Sequence, residues 1–137
     1  MTWDQDYLKD KNLLIIGCGG LAHAALPYLL SSGIGHVTIF DGDVVDASNL
    51  NRQHLFTPND FDRNKALVIK EYCASHFPKA RITAKEKMFE VNETEFDLQP
   101  DLVLDFTDRL LTKMELAKFF ENLHIPFFYA AAQMNAG

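Results

Sequence analysis

Asp41, Asn49, Arg52, Gln53 and Lys65 follow one another in this chain, the first four inside the block Asp41–Phe56 (DGDVVDASNLNRQHLF). Their types suit a ligand that carries phosphates. Arginine offers a planar fork of donors to phosphate oxygens, and lysine a compact mobile charge. Two cations converging on one phosphate stabilise the charge that builds during attack at phosphorus. Either cation alone is most often a solvated surface charge; here both follow a glycine-rich turn, Gly17-Cys18-Gly19-Gly20-Leu21-Ala22. A strand-to-helix turn of this kind lets backbone approach a nucleotide and offers unpaired helix N–H groups to its phosphates. Gly17, Gly19 and Gly20 meet that need, with Ala22 as the third small position. An acid about 20 residues further on accepts hydrogen bonds from ribose hydroxyls in dinucleotide folds, and Asp41 stands where that acid is expected.

Asp108, in Asp105-Phe-Thr-Asp108, is the second acid of interest. A carboxylate near nucleotide phosphates is a natural Mg²⁺ ligand, because Mg²⁺ takes one or two carboxylates plus phosphate oxygens. The rival readings are that Thr107 or Asp108 caps the following helix, or that Asp105 lies nearer the ligand. Of the five histidines, none has metal-ligand spacing. His54 is kept as a weak suspect beside the cluster, and His23 reads as structural. The two cysteines, Cys18 and Cys73, form no CxxC pair, so no zinc site or disulfide framework is indicated.

The elements that must hold these residues follow from periodicity. Asn12–Ile16 is a short apolar run ending in glycine, which predicts a strand buried on both faces. Leu21 to Ser32 reads as a helix closed by Gly33, with a kink or loosened turn expected at Pro27. His36–Phe40 is a second strand, Asp43 to Asp60 a long polar connection of the sort that usually carries function, and Asn64 to Phe77 a helix. Arg81 to Lys87 reads as an amphipathic strand nearer an edge. Leu102–Leu104 is a fourth strand, Leu110 to Asn122 a helix and Phe127 to Ala131 a fifth strand. Strands alternating with helices predict an α/β, Rossmann-like fold: a mainly parallel sheet, right-handed crossovers and helices on both faces. One domain spanning 1–137 is expected. An end at Gly137, soon after a strand, suggests C-terminal truncation.

Composition fits this class: 137 residues, 47% hydrophobic, 23% charged and a net charge of −6. Without a basic tract, nucleic-acid binding is not expected. No apolar run approaches the roughly 20 residues that span a bilayer, and the acidic N-terminus is unlike a signal peptide. A cytoplasmic protein with no membrane partner is the default.

The combination GCGGLA, DGDVVDASNLNRQHLF, Lys65 and DLVLDFTD resembles the ubiquitin-activating-enzyme-like adenylyltransferases, the ThiF/MoeB/HesA group. The likeness runs from about Leu13 to Gly137, and SNLNRQ is its specific part. It implies binding of MgATP and of the C-terminal Gly-Gly of a small ubiquitin-like carrier protein, whose carboxylate attacks the α-phosphate to give an acyl-adenylate. Bacterial members then help load sulfur for thiamine or molybdenum-cofactor synthesis. It further implies that Gly20 touches the nucleotide, Asp41 holds the ribose, Asn49, Arg52 and Lys65 bind phosphates with Gln53 in support, and Asp108 holds Mg²⁺. Arg52, Lys65 and Asp108 are the residues expected to act in catalysis. A homodimer is implied as well.

There are departures from the family pattern. Ala22 replaces the last glycine, and Arg109 stands where an Asn is common. The family's N-terminal segment, with an Arg that reaches the partner's site, is reduced here to Met1–Lys11. Zinc-binding CxxC pairs of many members would fall beyond Gly137. An NAD-dependent oxidoreductase domain fits the glycine turn and Asp41 equally well but leaves Asn49, Arg52, Gln53 and Lys65 unexplained. A non-catalytic dimerisation or docking module of the same fold is the third reading.

Overall fold

A computed structural model describes residues 5–92 and 99–131. Five strands, β1 (Asn12–Ile16), β2 (His36–Phe40), β3 (Arg81–Lys85), β4 (Leu102–Asp105) and β5 (Phe127–Tyr129), form one sheet in the order β3-β2-β1-β4-β5. Every neighbouring pair is parallel. Four helices accompany them: α1 (Gln5–Lys9), α2 (Gly20–Ser31), α3 (Lys65–His76) and α4 (Leu110–Asn122).

The two faces follow from the pleat. Alternate side chains of β1 point opposite ways. Leu13 and Ile15 join Ala22, Leu26 and Leu30 of α2 and Val68, Ile69 and Cys73 of α3 in one core. Leu14 and Ile16 join Phe40, Val103 and the α4 residues Leu116 and Phe120 in the other. The chain runs β1, β2, β3 toward one edge and then β4, β5 toward the other. With right-handed crossovers, that reversal puts α4 on the face opposite α2 and α3.

The reversal falls between β1 and β4, where open α/β sheets bind ligands beyond the strands' carboxyl ends. Register brings those ends level: Ile16 pairs with Phe40 and with Asp105. The ladder runs one residue further, with Gly17 N donating to Phe40 O at 2.9 Å and Phe106 N to Ile16 O at 2.8 Å. The exits of β1, β2 and β4 therefore share one platform.

The expected elements are present with small shifts. α2 begins at Gly20 and is continuous through Pro27; Ser32 is its cap and Gly33 takes the left-handed φ of 104°. β3 is an edge strand as expected but stops at Lys85, β4 extends to Asp105, and β5 stops at Tyr129. The Asp43–Asp60 connection contains two 3₁₀ turns, Ala47–Asn49 and Pro58–Asp60. The expected truncation at Gly137 lies outside the described residues.

Candidate functional site

The glycine turn divides its labour. Gly17 has φ of 95°, and a Cβ there would stand 3.1 Å from the Phe106 carbonyl carbon and 3.2 Å from Thr107 N. The fold itself requires this glycine, because backbone from the β4 exit packs against it. Gly19 is the residue before α2, and a Cβ there would meet nothing within 4 Å. The helix N-terminus, which has no acidic side chain in its first turn, thus opens onto free space at Gly19. A Cβ on Gly20 would face Arg52 at 3.5 Å from Cγ, so the turn and the arginine segment are in contact.

Asp41 is buried at the end of β2. Its Oδ2 accepts from Cys18 N at 2.7 Å and its Oδ1 from Asp43 N at 2.8 Å. Burial raises its pKa, opposed by those two amides and then by the Lys65 charge. Each oxygen keeps acceptor capacity beyond the one bond it makes. Asp41 therefore holds the glycine turn in shape and can still accept a hydroxyl.

The segment after Asp41 is folded on itself. Asn49 Oδ1 accepts from Asp46 N at 2.9 Å, while the Asp46 carboxylate accepts from Ser48 N at 2.9 Å. This reciprocal cap makes Asn49, buried in the turn, a builder of the loop through its amide oxygen. Arg52 is exposed, with Nη1 donating to Ser48 O and to Asn51 Oδ1, each at 3.1 Å. Gln53 is buried, and its Oε1 has no partner.

Lys65 opens α3. Asn64 fixes it there: Asn64 Oδ1 accepts from Leu67 N at 3.0 Å, and Nδ2 donates to Asp41 O at 2.8 Å. The backbone N of Lys65 donates to Asp43 O at 3.0 Å. Lys65 is only 8% exposed. Among the described residues no hydrogen bond or ion pair is made by its ammonium, although the group sits at a helix N-terminus, where the dipole opposes a cation.

The β4 exit differs from expectation. Asp105 is fully buried. Its Oδ1 accepts from Thr107 N at 2.8 Å and Thr107 Oγ1 at 2.6 Å, and its Oδ2 lies 3.5 Å from Lys113 Nζ. Lys113 also donates to Ala130 O at 2.9 Å. Asp105 is thus engaged by the framework. The cap of α4 is neither Thr107 nor Asp108 but Arg109, which makes no side-chain cap bond. Asp108 is exposed, and no hydrogen bond engages its side chain among the described residues. A free carboxylate at the switch point fits Mg²⁺, which needs few protein oxygens when a triphosphate supplies the rest. Among the described residues no group of three or more His, Cys, Asp or Glu could hold a metal ion by itself.

His54 is exposed beside the cluster, its ring 5.8 Å from that of His23. Burial pushes the Cys18 thiol well up and the Cys73 thiol up to about 11, so neither is poised as a nucleophile. Lys113 was not anticipated from the sequence, whereas His23 is structural, as expected. Lys113 pairs with an acid across a turn, for which no local pattern exists. His23, in an apolar helix, accepts the Leu55 N–H at 3.0 Å.

The ThiF family model matches residues 2–137. The Escherichia coli sulfur carrier protein ThiS adenylyltransferase is 37% identical over 130 residues, 93% of this chain and 51% of that protein. The E. coli molybdopterin-synthase adenylyltransferase is 35% identical over 113 residues, 82% of this chain and 45% of that protein. The chain therefore spans about half the length of these relatives or less. The crystal structure of E. coli MccB with ATP superposes with a TM-score of 0.82 at 26% identity, over 93% of this chain and 38% of that one. E. coli tRNA N6-threonylcarbamoyladenosine dehydratase, TcdA, in complex with AMP, has a TM-score of 0.85 at 24% identity, over 96% of this chain and 55% of that one. It shares the fold. No helix among the described residues is long and apolar enough to cross a membrane.

Proposed function

Because the chain belongs to the ThiF family, we propose that it binds MgATP and transfers AMP to the C-terminal glycine carboxylate of a small ubiquitin-like sulfur-carrier protein, forming an acyl-adenylate and pyrophosphate. One observation carries the reading to this chain: Lys65, buried and unpaired, stands beside Asp41 on the platform that holds the glycine turn. Its ammonium makes no hydrogen bond or ion pair among the described residues, and the Asp41 carboxylate near it is already held by two backbone amides, so an anion entering at the Gly19 opening would meet an unengaged cation.

The residues divide the work as follows. Gly19 and Gly20 present the N-terminus of α2 to phosphates. Asp41 accepts a ribose hydroxyl on its remaining lone pairs. Arg52 and Lys65 bind phosphate oxygens and offset negative charge as the carboxylate attacks the α-phosphate. Asn49 and Gln53 hold the segment that presents Arg52. Asp108 would hold Mg²⁺, whose bound charge shields the triphosphate. No general base is needed, since a C-terminal carboxylate is ionised near neutral pH. Alignment and charge stabilisation then account for the rate. The proposal includes a cytoplasmic homodimer, the dimer resting on the family resemblance.

Carrier-dependent exchange of pyrophosphate into ATP tests the reading. Arg52→Ala should lower the exchange rate about 10²-fold, the scale of removing one transition-state donor. Tighter binding of NAD than of MgATP would turn the site into a dehydrogenase's. No exchange with any Gly-Gly-ending carrier would leave a docking module.

A further inference from the structure

His23 lies beneath the segment that carries Arg52 and Gln53. It sits in the first turn of α2 and is fully buried. Its Nδ1 accepts the Leu55 N–H at 3.0 Å, and Phe56 stands edge-on to its ring at 4.3 Å. Its own backbone N–H donates to Gly19 O at 3.2 Å, closing the turn at the proposed phosphate site. On the other side, Arg52 N and Gln53 N both donate to Asn49 O, at 3.2 and 2.8 Å, and Phe56 N donates to Gln53 O at 3.2 Å. One imidazole thus ties the glycine turn to the arginine segment.

An apolar side chain would fill this space more cheaply. Nε2 is buried without a full hydrogen bond, although the Cys18 backbone pulls weakly toward the protonated ring, and the unmade bond carries a desolvation cost. What an apolar residue lacks is an acceptor for the Leu55 N–H, which would then be the orphan on a segment that must stay in place. Accepting at Nδ1 requires the neutral ring with its proton on Nε2. Burial, with the charges of His54 and Lys65, drives the His23 pKa down to about 3, so the ring stays neutral at physiological pH.

We infer that His23 is a positioning residue: through Leu55 it clamps residues 53–56 to α2 and so keeps Arg52 over Gly20. The clamp is a property of the fold; its bearing on nucleotide rests on the adenylyltransferase reading.

Three variants separate the acceptor from mere bulk. His23→Leu fills the space without an acceptor. His23→Asn places an amide oxygen where Nδ1 stands, and His23→Gln places its amide where Nε2 stands. Two measurements are needed on the full chain: amide hydrogen exchange at residues 52–56 relative to α3, and ATP affinity by titration. His23→Leu should speed exchange of the segment and weaken ATP binding, each about tenfold, the scale of one buried hydrogen bond left unmade. His23→Asn should restore most of both, and His23→Gln should behave like Leu. If the leucine variant does not fold, the contrast between Asn and Gln decides. Wild-type exchange in His23→Leu, no rescue by Asn, or a loosened segment with unchanged ATP affinity overturns the inference. A wild-type protein that binds no ATP would instead sink the adenylyltransferase reading, while the exchange data still decide whether the clamp exists.

Discussion

Two lysines are buried at the carboxyl end of the sheet, one on each face, and they live in opposite circumstances. Lys113, on α4, is 4% exposed and fully engaged, with the Asp105 carboxylate at 3.5 Å and the Ala130 carbonyl at 2.9 Å. Lys65, on α3, is 8% exposed with no partner among the described residues. The acids beside them invert the pattern. Asp105 takes its cation, whereas Asp41 spends its bonds on the Cys18 and Asp43 amides. A buried charge whose partner is built in is framework. One whose partner is not built in is, on the proposed function, where a ligand brings the counter-charge.

The largest effect that could break this contrast is on stability. Lys113→Met leaves Asp105 buried beside Thr107 without its cation, and breaking a buried pair from one side costs about 3–5 kcal/mol. Urea denaturation should show that loss. A variant as stable as wild type would mean that the pair is idle and that Lys113 is no more framework than Lys65.

Lys65→Met should give the reverse result. No hydrogen bond is lost in the folded protein; the pull of Lys65 on the buried Asp41 carboxylate goes while a cation leaves a helix N-terminus, so the two effects oppose each other and stability should stay within about 1 kcal/mol of wild type. Carrier-dependent pyrophosphate exchange should fall about 10²-fold. A large loss of stability with exchange intact would reverse the assignment of the two lysines.

The halves of this contrast were not equally readable from the chain. The turn glycines, Asp41, Lys65 and the alternating elements follow from short-range regularities: an apolar run ending in glycine, then a strand-end acid, then a helix start. Register of a parallel sheet does the rest, since level strand ends bring those residues to one platform. Even the inner turns of the long connection carried a signal. Asp46 with Asn49, and Thr57 with Asp60, have capping-box spacing and form reciprocal caps. Lys113 with Asp105 and His23 with Leu55 had no such signal. Each pair meets because separate elements pack, and a lysine or histidine on a helix looks the same in sequence whether it faces water or a buried partner. α1, only five residues long, was missed for a related reason: a single polar turn has too little periodicity to register.

The smallest effect gives the sharpest comparison within the turn itself. Gly17 and Gly19 look equivalent in sequence, but only Gly17 is held by the fold, with φ of 95° and Phe106 backbone 3.1 Å from where a Cβ would lie. Gly19 has φ of −80°, which any residue adopts, and open space around it. Gly19→Ala should therefore leave stability within about 0.5 kcal/mol of wild type, even gaining slightly from a less flexible unfolded chain. Its methyl would occupy the room through which phosphates reach the α2 N–H groups, so ATP affinity should fall about tenfold, as for one or two charge-assisted hydrogen bonds weakened. Calorimetric titration beside a melting curve separates the two quantities. If the alanine variant binds ATP as tightly as wild type, the phosphates do not enter at Gly19, and the unpaired Lys65 must be facing some other anion.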